Sequence, residues 1–205
     1  MIAIIDYGMG NVGSIANMLH KIGAETIISA DPDLICNADK IILPGVGAFD
    51  AGMRNLADRG LVELLTERVV GNGTPILGIC LGMQLLGRCS EEGHLPGLSW
   101  IDAESVRFVF DREYSQLKTP HMGWNAIDVV KESRLISRTD MEQRFYFVHS
   151  YHVVCDNNDD ILATTRYGGE FVSAVVQDNI YGVQFHPEKS HRYGMRLMKN
   201  FVELI

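Results

Sequence analysis

Five residues, Gly78-Ile79-Cys80-Leu81-Gly82, constrain the fold more than any other stretch of the chain. They end the apolar run Pro75–Ile79, which reads as a buried strand, and open an amphipathic segment, Leu81–Arg88, which reads as a helix. A strand that passes directly into a helix forms a sharp elbow with its central residue at the apex. The turn is tight enough that side chains at 78 and 82 would meet neighbouring backbone, so both positions need glycine. The apex residue is driven into a strained backbone region and its side chain stands above the sheet. Here that residue is a cysteine. The helix N-terminus behind it favours a thiolate over a thiol, and the backbone N–H of Leu81 is placed to bind an oxyanion.

The surrounding pattern fits an α/β fold. Ile2–Ile5, Glu25–Ile28 and Lys40–Leu43 are short β-branched or apolar runs, as expected of strands buried on both faces. Between them, Asn11 caps a helix that runs to Ile22 and stops at Gly23. A helical pair over Ala48–Val70 breaks near Gly60. This βαβα series predicts a mostly parallel central sheet with helices on both faces. The second half is different. Ser105–Val109, Ala126–Val130, Phe145–Val148, Tyr151–Cys155, Leu162–Arg166, Val172–Gln177 and Ile180–Phe185 read as strands separated by turns. They add an antiparallel region, whose last two strands form a hairpin around Asp178-Asn179. A terminal helix carries Met195, Met198, Phe201, Val202 and Ile205 on one apolar face. No repeat or long linker divides residues 1–205, so one domain is expected.

Composition narrows the function classes. With 18 Lys and Arg against 26 Asp and Glu, the net charge is 18 − 26 = −8, the wrong sign for a chain that must neutralise phosphates. No nucleic-acid partner is expected. No apolar run approaches the ~18–20 residues that span a bilayer, and Met1–Asp6 reads as a first strand, not a signal peptide. The cysteines Cys36, Cys80, Cys89 and Cys155 lack metal-binding or disulfide-framework spacing, which fits free thiols in a cytoplasm.

A cysteine nucleophile needs a base and a group to orient the base. Gly182-Val183-Gln184-Phe185-His186-Pro187-Glu188 offers both. His186 and Glu188 are two residues apart at a strand end, so they share a face, and Pro187 between them marks where the sheet ladder ends. A carboxylate beside an imidazole fixes its tautomer and stabilises the imidazolium. A second glycine-rich turn, Pro44-Gly45-Val46-Gly47-Ala48-Phe49, lacks the Lys and Ser/Thr of a phosphate-binding loop and reads better as a source of a further oxyanion donor. His149-x-x-His152 is the one sequence hint of a metal. Residues three apart on a strand face opposite ways, however, and no metal or other cofactor is expected.

Together these motifs resemble the class I (triad) glutamine amidotransferases. Asp6-Tyr7-Gly8-Met9-Gly10-Asn11, Pro120-His121-Met122-Gly123-Trp124-Asn125 and Phe145-Tyr146-Phe147-Val148-His149-Ser150-Tyr151 narrow the likeness to the glutaminase subunits of imidazole glycerol phosphate synthases, over essentially the whole chain. The resemblance implies a flavodoxin-like fold and a catalytic triad of Cys80, His186 and Glu188. It implies an oxyanion hole of Gly47 and Leu81, and contacts to L-glutamine from Gly45, Gly82, Gln84, Glu92, His149 and Ser150. It also implies a heterodimer with a (β/α)8-barrel synthase subunit, which takes up ammonia through a tunnel. That partner would yield imidazole glycerol phosphate and AICAR, and Met122, Trp124, Tyr146 and Lys189 match its interface. Activity would stay low until the partner turns the Gly45–Gly47 loop. Tyr151–Cys155 and Lys189–Met195 look more like paralogues that supply ammonia to sugar-modifying partners in surface-polysaccharide assembly, so the acceptor stays open between the two.

Other classes share parts of this pattern. A stand-alone thiol hydrolase such as a γ-glutamyl hydrolase would have the elbow without the motifs around Trp124 and Tyr146. The glutaminase of pyridoxal-phosphate synthesis would carry a Gly-Gly-Glu-Ser-Thr element that is absent here. An interaction module that had lost its chemistry would not need all three triad residues. Without the family likeness, Trp124 would be read as a core residue and Lys189 as a solvated charge.

Overall fold

The computed structural model describes residues 1–139 and 141–205. In its first half, β1 (Ile2–Ile5), α1 (Val12–Ile22), β2 (Thr26–Ser29), α2 (Pro32–Cys36), β3 (Lys40–Gly45), α3 (Phe49–Asp58), α4 (Leu61–Thr66), β4 (Ile76–Cys80) and α5 (Leu81–Leu85) alternate. The second half holds β5 (Cys89–Ser90), β6 (Ala103–Arg107), β7 (His121–Val129), β8 (Gln143–His149), β9 (Tyr151–Cys155), β10 (Ile161–Arg166), β11 (Glu170–Gln177), β12 (Ile180–Val183) and α6 (His191–Leu204). The main sheet runs β2-β1-β3-β4-β12-β11-β10-β7-β8, with β5, β6 and β9 branching from it. β2, β1, β3, β4 and β12 are parallel, and β11 returns antiparallel. This is the mixed α/β sheet the sequence predicts.

Alternation explains the continuous apolar runs. Ala3, Ile5, Ile41, Leu43 and Ile76 enter one buried cluster with α2, α3, α4 and α5. Ile2, Ile4, Ile42, Leu77 and Ile79 enter the other, with α1 and α6. Each central strand thus feeds two cores and has no polar face. α1 begins where Asn11 accepts a hydrogen bond from the Ser14 N–H at 3.3 Å, and it ends at Gly23 in the left-handed region, φ 85°. Gly60, φ 65°, separates α3 from α4.

Several boundaries differ from the sequence reading. α2 was not expected, although Asp31 caps it and Pro32 opens it. α5 stops at Leu85 instead of Arg88, because the Arg88 N–H donates to Ala103 O at 2.8 Å and the chain turns into the β5–β6 edge. β6 covers Ala103–Arg107, two residues earlier than Ser105–Val109, and leaves Val109 87% exposed. β7 begins at His121, not Ala126. At its start the usual pattern is inverted, with His121 buried and Met122 and Trp124 exposed, so periodicity gave no strand signal there.

Candidate active site

Three parallel strands bring the motifs together. Gly45 of β3 is in register with Cys80 of β4, and Val183 of β12 is in register with Ile79. The residues that follow therefore meet at the carboxyl ends of adjacent strands, where α/β sheets form their binding crevices. Cys80 has φ 54° and ψ −109°, a conformation that costs a non-glycine residue about 1–3 kcal/mol. Close backbone approach keeps it there. A Cβ on Gly78 would lie 2.8 Å from Gly82 O, and one on Gly82 would overlap Leu43 O. A Cβ on Gly45 would come within 2.7 Å of both Leu81 Cβ and Tyr7 Oη.

His186 follows β12 by three residues. Its Nδ1 lies 2.8 Å from Glu188 Oε1, with side chains 1% and 3% exposed. The turn that holds them is tied at three points. Ser190 Oγ donates to His186 O at 2.6 Å and accepts from the Tyr146 N–H at 3.0 Å, while the His186 N–H donates to Tyr146 O at 2.8 Å. Gly194 lets α6 press on this turn, since a Cβ there would overlap Pro187 O. His186 Nε2 is buried and makes no formed hydrogen bond. Burial disfavours charge on the ring, but the neighbouring Cys80 and Glu188 side chains outweigh it and carry the pKa up to about 9.

Glu188→Gln keeps the shape of this pair and removes one of the charges that favour the imidazolium. Its turnover should fall about 10²-fold, a typical loss for impaired acid–base catalysis. Cys80 and Glu188 both favour the protonated form of the parent ring. Losing a group that raises its pKa should therefore move the alkaline limb of the rate profile to lower pH. A pH–rate profile of the variant tests both expectations, and a limb that stays in place would remove His186–Glu188 from the chemistry.

A cavity of about 310 Å³ opens beside the sulfur, lined by Gly47, Cys80, Leu81, Gln84, Glu92, His149 and Ser150 among the predicted residues, with Val46, Pro120, Val148 and Tyr151. Gly45 and Gly82 do not line it; they sit behind, where the elbow packs on β3. Leu81 is the first residue of α5, so its N–H has no partner within the helix. Gly47, φ 127°, lies against Met9, whose Cε would be 2.7 Å from an added Cβ. Glu92 has a second task. Its Oε2 accepts from the Phe49 N–H at 2.9 Å and caps α3, whose own N-cap residue Ala48 has no capping side chain.

Behind the cavity lies a buried polar network. Gln84 Nε2 donates to Tyr151 O at 3.1 Å and to Gln184 Oε1 at 3.0 Å. His149 Nδ1 is 2.8 Å from the same carbonyl, and its Nε2 is 3.0 Å from His121 Nδ1. Burial pushes His149 down to about 3 and His121 to about 4, so both rings are neutral at physiological pH. β8 ends at His149 and β9 starts at Tyr151, so His149 and His152 are not on one strand. Both rings in fact pack on Phe108. The two nitrogens of His149 are engaged in hydrogen bonds, and among the described residues no group of three or more ligand-type side chains is placed to hold a metal.

Met122, Trp124, Tyr146 and Lys189 form one surface. Trp124 and Tyr146 are register partners on β7 and β8. Met122 is 62% and Trp124 39% exposed, so Trp124 is not a core residue. Its ring stacks on His191 at 5.5 Å, and Lys189 Nζ lies 5.6 Å over the Tyr146 ring. Tyr146 belongs at once to this patch and to the backbone tie that holds His186.

Sequence reasoning passed over Tyr7, His121, Gln184 and Ser190. Tyr7 Oη donates to Pro44 O at 2.6 Å, at the root of the glycine-rich loop, and burial together with nearby Cys80 keeps its phenol strongly protonated. β12 ends at Val183, not Phe185, and Glu188 lies in a 3-10 turn over Pro187–Lys189, so that turn and not a strand period of two brings His186 and Glu188 together.

Among the described residues no helix is long and apolar enough to cross a membrane. The family model for class-I glutamine amidotransferases matches residues 3–204. The chain is 57% identical to imidazole glycerol phosphate synthase subunit HisH 2 of Methanococcus maripaludis over 99% of each chain. To the subunit of the same name in Pseudomonas aeruginosa it is 52% identical over 100% of each. A crystal structure of a glutamine amidotransferase superposes with a TM-score of 0.74 at 18% identity, covering 100% of this chain and 98% of the other.

Proposed function

Because the chain belongs to the class-I glutamine amidotransferase family, we propose that it is the glutaminase subunit of an imidazole glycerol phosphate synthase, hydrolysing L-glutamine and passing ammonia to a (β/α)8-barrel partner in the cytoplasm. The observation that carries this reading is the convergence of Cys80, at the end of β4, with the buried His186–Glu188 pair beyond the neighbouring β12.

The chemistry follows from that geometry. Cys80, its thiol proton already held on His186 Nε2, attacks the side-chain carbonyl carbon of glutamine through Sγ. Glu188 holds the ring through Nδ1 and stabilises its charge. Leu81 N–H, completed by the Gly47 loop, receives the oxyanion. Collapse breaks the C–N bond, and the proton on His186 leaves with ammonia. Water then attacks the thioester, giving up a proton to His186, and glutamate departs as the thiol re-forms. Gln84, Glu92, His149 and Ser150 surround the substrate.

The patch of Met122, Trp124, Tyr146 and Lys189 is the docking face for the barrel. Aromatic side chains anchor interface cores, and Lys189 is placed to meet an acidic group. Its join to the triad through Tyr146 puts partner contact one residue away from the base.

Reconstitution tests the reading. The chain is mixed with its barrel partner, glutamine and either the formimino nucleotide of the histidine pathway or an activated amino sugar. Imidazole glycerol phosphate should form only with the nucleotide, and glutamate release should rise when it binds. Product from the sugar alone would reassign the acceptor. Rapid hydrolysis by the isolated chain, unchanged by any partner, would overturn ammonia transfer.

A further inference from the structure

Gln184 is fully buried, and its Nε2 lies 3.7 Å from Cys80 Sγ, within reach of a hydrogen bond to sulfur. We infer that Gln184 is a further catalytic residue, whose carboxamide N–H donates to the Cys80 sulfur and stabilises the thiolate. The inference rests on Cys80 being the nucleophile. It adds a donor that neither the triad nor the oxyanion hole contains.

The direction of that bond is fixed by chemistry. Tyr151 O is a backbone carbonyl and can only accept. It therefore requires an N–H from Gln84, which sets Gln84 Nε2 toward it. The same Nε2 reaches Gln184, so the atom it meets there must be the acceptor Oε1. That leaves the NH2 of Gln184 facing the thiol. A flipped amide would set N–H against N–H at Gln84 and leave buried groups unpaired. Tyr151 O sets the other arm too. It takes Nδ1–H of His149, so His149 Nε2 accepts from His121 Nδ1–H. His121 Nε2 then accepts from Asn125 Nδ2 at 3.3 Å. Asn125 agrees independently, because its Nδ2 also donates to Arg166 O and its Oδ1 accepts from the Ala126 N–H.

Strand geometry places this donor on purpose-built rigid elements. The Ile79–Val183 register sets Gln184, one residue past β12, beside Cys80, and its backbone N–H holds it there by donating to Ser173 O at 2.9 Å. The sulfur so lies between a donor that cannot titrate and a base that can. A hydrogen bond to a thiolate is charge-assisted and stronger than one to a neutral thiol, so the donor favours the ionised form.

Gln184→Glu is the sharpest test. It keeps the shape and still accepts from Gln84, and it changes only the group facing sulfur, from N–H to carboxylate oxygen. Gln184→Met removes the donor without adding charge, and serves if the first variant fails to fold. The readout is alkylation of Cys80 in the free chain by iodoacetamide, followed by peptide mapping against Cys36 and Cys89. At pH 7 the rate should fall at least about tenfold in Gln184→Glu and about three- to tenfold in Gln184→Met. At pH 10, where thiols ionise without help, Gln184→Met should match the parent. Rates equal to the parent at pH 7 in both variants would overturn the inference. So would a loss in Gln184→Met that is the same at pH 7 and pH 10, which signals altered access. Neither result touches the glutaminase reading, which fails only if Cys80→Ala retains turnover.

Discussion

Replacing Cys80 by alanine lowers glutamate release by the partner-bound protein at least ~10³-fold, the scale of loss when a nucleophile is removed from a triad. The expectation follows from the surroundings of the sulfur. Cys80 adjoins a base held by a buried carboxylate and a carboxamide donor, and the helix-start N–H of Leu81 follows it directly. His186 and Glu188 have no substrate-bound task without it. The variant should fold as the parent does, because alanine fits wherever cysteine does and relieves little of the φ 54° strain. Glutamate release at saturating glutamine, with a thermal melt as control, checks both points. Turnover within tenfold of the parent would show that the chemistry lies elsewhere. Glu188→Gln should lose less, since it disturbs the base and leaves the nucleophile in place.

Gly82→Ala should be among the most damaging single methyl additions to the molecule. The added Cβ would overlap Leu43 O, a backbone atom of a central strand buried on both faces. Neither side can yield cheaply, because β3 is held in register between β1 and β4. Relief would require the elbow to open, and Cys80 and the Leu81 N–H would move with it. We expect a loss of about 3 kcal/mol or more in stability, at the high end for overpacking, and no measurable glutaminase activity. Gly13→Ala is the control. Nothing lies within 4 Å of its Cβ and the site is in α1, so stability should hold or rise by about 0.5–1 kcal/mol. Urea titrations of the two variants separate them, and a Gly82→Ala midpoint equal to the parent would contradict the close approach.

Much of the site was legible because its logic is local. Glycines at 78 and 82 are dictated by a turn only five residues long. His186-Pro187-Glu188 declares a strand end within three residues, although a 3-10 turn and not strand alternation brings the two side chains together. The helices were legible where caps and period agreed, as in α1 from Asn11 to Gly23. β7 was legible only in part. Its first residues turn Met122 and Trp124 outward and bury His121, and a reading that assigns apolar residues to the core misplaces such a strand. Glu92 is another case. Its place in the cavity matched the family likeness, but its role as the cap of α3 depends on a residue 43 positions away.

The sequence by itself determined the elbow, the residue types of the triad and the α/β layering, since sterics and periodicity act over a few neighbouring residues. Only the tertiary structure decided that β12 lies beside β4. That choice sets Gln184 against Cys80 across 104 residues of chain and brings His186 to the same end of the sheet. Strand order and register between distant segments are settled by which arrangement buries both faces of the sheet and satisfies every backbone hydrogen bond at once. No local pattern encodes that condition, and the donor at Gln184 became visible only once it had been met.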